Sequence, residues 1–318
     1  MYRHTLTGIV LMLVLTSCGG GRQRVMTDTL APRPTAVLVE HEVSGVVLKQ
    51  SLLAPIGLDV NRRGDVYVVD AGNNRLVEFD SSLTPIRETG GYGRSEGQLD
   101  QPSRVTVDND LNLWVTDVGN RRLCRFDRGL HFVDAIELED DEDLLKYGRP
   151  GGLAVTTFGE VWLSDMDNDR LSIFDNTGSF SKHVEGFGYG GGQLRSPEEI
   201  ASFDDRTFFV CDVGNQRVAL FDEYGSFLGE IADDRWRQPA AMAFDSSRRL
   251  WLLDAETATL YCLSLTGEEQ LVVSGRLPGT TVPLRNPSDI VFDRQGRLII
   301  SDTGNNRVLV CRVTYDQN

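Results

Sequence analysis

The sequence predicts an all-β protein built from one unit used six times, and two interlocked series of residues carry that expectation. A proline opening a short apolar run recurs at Pro55, Pro102, Pro150, Pro197, Pro239 and Pro287. An aspartate closing a second apolar run recurs at Asp70, Asp117, Asp165, Asp212, Asp254 and Asp302. Both series advance by 47, 48, 47, 42 and 48 residues. Four-stranded blades arranged radially repeat at this kind of spacing. The expected fold is a six-bladed β-propeller of antiparallel blades around a central channel.

Within the first unit, Ile56 to Val60, Val66 to Val69 and Leu76 to Phe79 read as strands, and the segment near Ile86 as a weaker fourth. Arg62 to Gly64 and Ala71 to Asn74 separate them as turns. Later units show the last hairpin more plainly, in Phe174 to Phe180 and Phe221 to Phe227, where Gly178 and Gly225 supply the positive φ of a tight turn. The one helical candidate is Glu139 to Lys146. Three residues before each repeat aspartate stand Tyr67, Trp114, Trp162, Phe209, Trp251 and Ile299. A large apolar residue in one frame of every blade is expected to be blade-to-blade core rather than a sugar-stacking platform. The sixth unit ends without a fourth strand, while the strand-like stretch 36–48 precedes the first proline. Pairing the two would close the ring and remove both open edges.

The chain has 318 residues, 40% hydrophobic and 25% charged, a globular balance that excludes disorder and collagen-like repeats. Against 32 Lys and Arg stand 47 Asp and Glu, a net charge of −15. That sign opposes nucleic-acid binding, which rests on cationic neutralisation of phosphates, and opposes adhesion to anionic lipid by a basic face. The first residues read as an address. Arg3 and His4 precede an apolar run from Ile9 to Leu15, too short to span a bilayer but suited to a signal-peptide core. Its ending, Leu15-Thr16-Ser17-Cys18, resembles a bacterial lipobox, which implies cleavage before Cys18 and lipid on that cysteine. Gly19 rather than Asp after it resembles lipoproteins sent on to an outer membrane. Gly19 to Pro34 has no periodicity and reads as a tether. The expected organisation is a signal peptide over 1–17, a tether over 18–35 and a propeller over 36–318.

A tight turn follows each repeat aspartate: Asp70 to Arg75, Asp117 to Arg122, Asp165 to Arg170, Asp212 to Arg217 and Asp302 to Arg307. Gly and Asn accept left-handed backbone angles, and an Asp side chain can bond the amides of its own turn. The arginine five residues on is placed to pair with a carboxylate across the turn. With the preceding proline and the Gly-Gln-Leu lead-ins at 97–99 and 192–194, this pattern resembles NHL repeats over about residues 53–313. The resemblance implies a six-bladed propeller. Blade five departs, because Asp254-Ala-Glu-Thr-Ala-Thr259 has neither Gly nor Arg. Residues present once per blade are there for the blade, so these Asp and Arg pairs are read as structural.

Function in such a ring is expected from what differs between blades. Two positions after each proline come Gly57, Arg104, Gly152, Glu199, Ala241 and Asp289, and just before it Ala54, Gln101, Arg149, Ser196, Gln238 and Asn286. Both sets are expected to ring the channel mouth, uneven and polar as a specific pocket requires. Arg104 and Arg149, on neighbouring blades, are placed to clasp an anionic group, with Glu198, Glu199 and Asp289 to balance them or hold a cation.

Other chemistries find less support. His41, His131 and His183 share no frame, so a likeness to the zinc-dependent amidating-lyase propellers fails at its ligands. Asp165, Asp167 and Asp169 alternate like the start of a calcium loop, but Arg170 stands where that loop needs Gly. The acidic run 137–143 reads as a solvated insertion, and the glycine-rich 186–193 lacks the ending of a phosphate loop. No Gly-x-Ser-x-Gly occurs. Cys124, Cys211, Cys262 and Cys311 fall at four different blade positions and read as buried thiols.

The functional expectation is a membrane-anchored module of the bacterial envelope, outside the cytoplasm. It binds a protein, peptide or envelope polymer at the channel mouth and needs no cofactor. The alternative is a hydrolase or lyase of the lactonase type, with Glu199 and Asp289 holding a divalent metal and Arg104 or Arg149 clamping substrate.

Overall fold

A computed structural model describes residues 31–138, 147–185 and 191–316. The signal and lipobox segment, Cys18, most of the tether, the helical candidate at 139–146, most of the acidic run and the glycines at 186–190 lie outside the described residues. The described chain forms six four-stranded antiparallel sheets, as the repeat predicts. In the first blade the strands are Pro55–Val60, Val66–Asp70, Arg75–Phe79 and Pro85–Gly90, from the channel outward.

The ring closes through the N-terminal strand Pro34–Val43, which becomes the outermost strand of blade six beside Arg307–Tyr315. The sequence expectation ran this strand to residue 48. Instead Val46–Val47 turns back on Gln50–Ser51 as a small separate hairpin, and Val47 packs into the core between blades six and one. Six buried apolar clusters hold the ring, one at each blade-to-blade contact. The large residues of the repeated frame, Tyr67, Trp114, Trp162, Phe209, Trp251 and Ile299, are all buried. Trp162 stacks on Phe208 of the next blade with ring centroids 3.8 Å apart. The four described cysteines are free and buried.

The turn chemistry differs from expectation in one respect. The repeat aspartates mostly do not bond the amides of their own turns. Asp70 Oδ1 accepts the amide of Leu53, 17 residues upstream, while Oδ2 takes Asn73 Nδ2 and Arg75 Nε. Asp117, Asp165, Asp212 and Asp302 repeat the same three contacts, including the ion pairs to Arg122, Arg170, Arg217 and Arg307. Arg75, Arg122, Arg217 and Arg307 reach on to linker carbonyls, as Arg75 does to those of Val47 and Gln50. The motif therefore welds the incoming linker to the turn. In blade five Asp254 takes the amides of Arg237 and Gln238, and here it also bonds its own turn at Thr257.

The glycine of the turn is needed for proximity rather than for its φ. A Cβ on Gly72 would lie 2.7 Å from the Leu53 carbonyl oxygen. The left-handed residue is the one before the arginine, such as Asn74, Gln216 or Asn306. In blade three, Asp167 replaces this glycine, and the linker supplies Gly148 opposite it, where a Cβ would sit 2.4 Å from the Asp167 Cβ.

Candidate functional site

The innermost strands begin at the repeat prolines. In blades one to five their pairing register is irregular just after the proline. A bulge of this kind re-aims a side chain, and the residue affected is the one two positions after the proline, which meets the channel. Where that residue is Gly57 or Gly152 the neighbouring inner strand comes so close that an added Cβ would lie 2.5 Å from the Ser103 oxygen or 2.3 Å from the Glu198 oxygen.

Arg104 holds this position in blade two. It is nine-tenths buried. Its Nε lies 2.7 Å from Glu199 Oε2 of blade four, and its Nη2 lies 3.3 Å from the Ala240 carbonyl of blade five. Starting in blade two, this side chain spans the channel and divides it. Above it, on the face of the repeat turns and linkers, lies a funnel of about 770 Å³. Gln101, Arg149, Glu198, Gln238, Glu256 and Asn286 line it. Below, a second chamber of about 390 Å³ is lined by Asp59, Glu199, Asp289 and the rings of Phe203, Phe244 and Phe292.

The sequence-derived candidates thus sit at different depths. Gln101, Arg149, Glu198, Gln238 and Asn286 line the funnel, Arg104 borders both chambers, and Glu199 and Asp289 line the lower one. The two arginines both border the funnel, each beside a carboxylate. Arg104 is engaged by Glu199, and Arg149, with its side chain 55% exposed, stands 3.7 Å from Asp167. Asp289 accepts the amides of Leu58 and Ile290, each at 2.7 Å, and so ties blade six to blade one.

Electrostatics at this waist follow from burial. Desolvation raises the carboxyl pKa values of Glu199 and Asp289, against the lowering pull of Arg104. Glu198 is raised for the same first reason. Burial alone would lower the Arg104 pKa, but Glu199, Asp289 and Glu198 outweigh it and keep the guanidinium charged. Asp59 is pushed up to about 7 by burial and by the nearby charge of Asp289, although it accepts amides from Val107 and Val60.

Sequence reasoning missed Asp59 and Glu256. Asp59 had a legible signal, since four residues after the proline the other blades carry Thr106, Ala154, Ala201, Ala243 and Val291. Among the described residues no three His, Cys, Asp or Glu side chains converge as a metal site requires. The calcium-like aspartates turn to separate partners: Asp165 to Arg170, Asp167 to the Arg149 amide, and Asp169 to the Ser196 amide. Among the described residues no histidine, cysteine or lysine lines either chamber. The side chains present offer hydrogen bonding, charge and, below the waist, aromatic contact and the titratable carboxyl of Asp59.

Fold and site together define a propeller with a funnel on one face, stopped at its base by an ion pair across the ring. The NHL repeat model matches residues 52–79, 99–126 and 284–311, which are the turn-bearing parts of blades one, two and six. The chain is an NHL-repeat propeller. No curated protein matches it. Among solved structures it is similar to a streptogramin B lyase at 13% identity and a TM-score of 0.63, over 86% of this chain and 98% of that one. Virginiamycin B lyase from Staphylococcus aureus is similar at 15% identity and a TM-score of 0.61, over 87% and 88%. An auxiliary nutrient binding protein from Bacteroides thetaiotaomicron is similar at 13% identity and a TM-score of 0.63, over 89% and 76%. At such identities the likeness is one of fold.

Proposed function

We propose that this protein is a lipid-anchored binding module of the bacterial envelope, taking a protein, peptide or envelope polymer into the funnel. The observation that carries the reading is the funnel itself. Polar side chains that differ from blade to blade stand among apolar ones such as Ile56, Val118 and Met166 on one face, above a floor closed by Arg104 and Glu199. Mixed polar groups in a preformed concavity suit recognition of a specific ligand.

Topology supports the anchor. The third strand of blade six runs from Arg307, beside the funnel-face turn, to Tyr315 on the opposite face, and Pro34 pairs with Tyr315. The N-terminal segment therefore joins the ring on the face away from the funnel. A lipid on Cys18 would leave the funnel turned to the surroundings.

The lyase reading is second. It draws on the likeness to streptogramin and virginiamycin B lyases, and one structure in that group is a catalytically inactive histidine-to-alanine variant with quinupristin. A dependence on histidine has no counterpart in these chambers. For a carboxylate-held metal the fit is also poor, because Glu199 is already engaged by Arg104 and Asp289 by two amides.

Crosslinking of the lipidated protein in envelope membranes tests the reading. A partner retained by wild type and lost from the triple variant Arg149→Ala, Gln238→Ala, Asn286→Ala is expected. Equal capture by both removes the funnel, and conversion of quinupristin followed by mass spectrometry would put the lyase first.

A further inference from the structure

The far face, opposite the funnel, is unevenly charged. Each blade's first hairpin turn lies there, because the inner strands all run away from the funnel. In the consecutive blades five, six and one these turns expose Arg248, Arg294, Arg62 and Arg63. The N-terminal segment joins the ring in the same sector, where Arg249 Nη1 donates to the Pro32 carbonyl at 2.5 Å and the Asp316 amide to that of Arg33 at 2.9 Å. Arg33 is exposed there as well.

Two acidic groups of this sector, Asp245 and Asp293, are buried against Arg249 and Arg297. Asp65 and Asp80 are half-buried, Asp65 accepting from Asn61 and Asp80 capping its own turn at Ser82 and Thr84. Glu268 and Asp316 remain exposed. Across the ring, in blades two to four, the same face exposes Asp110, Glu160, Asp175, Asp204 and Glu223 against Arg128, Arg206 and Lys182. The chain carries −15 overall, so five exposed arginines gathered where the tether leaves run against its average.

We infer that the arginine sector formed by Arg33, Arg62, Arg63, Arg248 and Arg294 docks the propeller on an anionic phospholipid surface. Basic side chains next to an anchor attract the negative surface potential of a membrane, and the attraction fades within a screening length. The net charge argued against a basic adhesive face, but net charge averages over faces and the membrane meets only one. The inference rests on the anchored reading, and it adds an orientation: ring held down at blades five, six and one, funnel outward.

The buried state of all four described cysteines makes the test direct. A single surface cysteine takes a fluorophore, either Ser81→Cys on the far face or Tyr92→Cys on the funnel side. The lipidated full-length protein, its lipid verified by intact mass, is placed on vesicles carrying a headgroup acceptor. On phosphatidylglycerol-containing vesicles, energy transfer from position 81 is expected to exceed that from position 92 several-fold, since strands of this length make the ring roughly 20 Å thick. The difference should vanish on phosphatidylcholine, at about 1 M salt where the screening length falls to about 3 Å, and in the variant Arg62→Ser, Arg63→Ser, Arg248→Ser, Arg294→Ser. Equal transfer from both positions on anionic vesicles overturns the inference. If the mass shows no lipid, the anchor reading fails separately. The docking surface is then tested by flotation of that same protein with the anionic vesicles. Retention lost in the four-arginine variant supports it, and no retention overturns it.

Discussion

In the turns, an arginine meets an aspartate five times with the same partners; at the channel waist, Arg104 meets Glu199 once. The turn pairs are assembled from neighbours in sequence, and every oxygen of Asp117 is used, by the Asp100 amide, Asn120 and Arg122. The waist pair joins blade two to blade four. Its contact is close but poorly aligned, leaving Arg104 Nε and Glu199 Oε2 without a true hydrogen bond. Repetition has settled the first geometry into a weld. The second is a single crossing between two chambers, its carboxylates raised in pKa and open to being shifted by whatever enters.

The comparison breaks or sharpens under substitution. The largest effect is expected at the welds. Asp117→Ala leaves Arg122 buried without its anion and should cost about 3–5 kcal/mol. Asp254→Ala, in the blade with no such arginine, loses hydrogen bonds from neutral donors only and should cost about 1–3 kcal/mol. Denaturant unfolding measures both, and equal losses would show that the arginine is not what the aspartate holds.

Arg104→Met comes next, at about 1–3 kcal/mol near neutral pH, because Glu199 can answer the lost charge by taking a proton. Acids whose folded pKa is raised favour the fold below their unfolded pKa and lose that contribution as pH rises toward the folded value. The deficit of Arg104→Met should therefore shrink as pH falls toward about 4, near the ordinary carboxyl pKa. A deficit independent of pH would place the carboxyls outside the arginine's influence.

The smallest expected effect is a slope. Burial pushes Asp59 up to about 7 from the ordinary 3.8, so its stabilising contribution relative to Asp59→Asn should decline between those pH values, by roughly 1 kcal/mol per pH unit. Thermal melts of both proteins across that range give the difference, and parallel curves would remove Asp59 from the titrating group.

Much of the fold was legible because it was written six times. The proline and aspartate series fixed the blade count, and the frame of Tyr67 to Ile299 named the core between blades. The turn arginines declared their partners because those partners lie five residues away. Frame arithmetic also brought Arg104, Glu199 and Asp289 out of the sequence. Their depth was not legible, since it depends on a bulge after the proline and on Gly57 and Gly152 letting neighbouring strands close in. The pairing of Arg104 with Glu199 was equally hidden: it skips a blade, and nothing local joins the two residues. Asp59 was overlooked because attention went to residues nearest the prolines, although its charge is alone in a register of small and apolar side chains.

The closing strand sets an order of events. Thr35 and Thr314 touch at 2.9 Å although they stand 279 positions apart. The entropy of closing so long a loop grows only slowly with length, at about 0.6 kcal/mol per doubling. The constraint is one of timing: the strand Pro34–Val43 has no partner until Arg307–Tyr315 has been made. Blades one to five can each form from contiguous chain, while the ring itself snaps shut only after the sixth blade has been synthesised. A truncated product would carry its first strand unpaired, as an open sheet edge exposed to other chains.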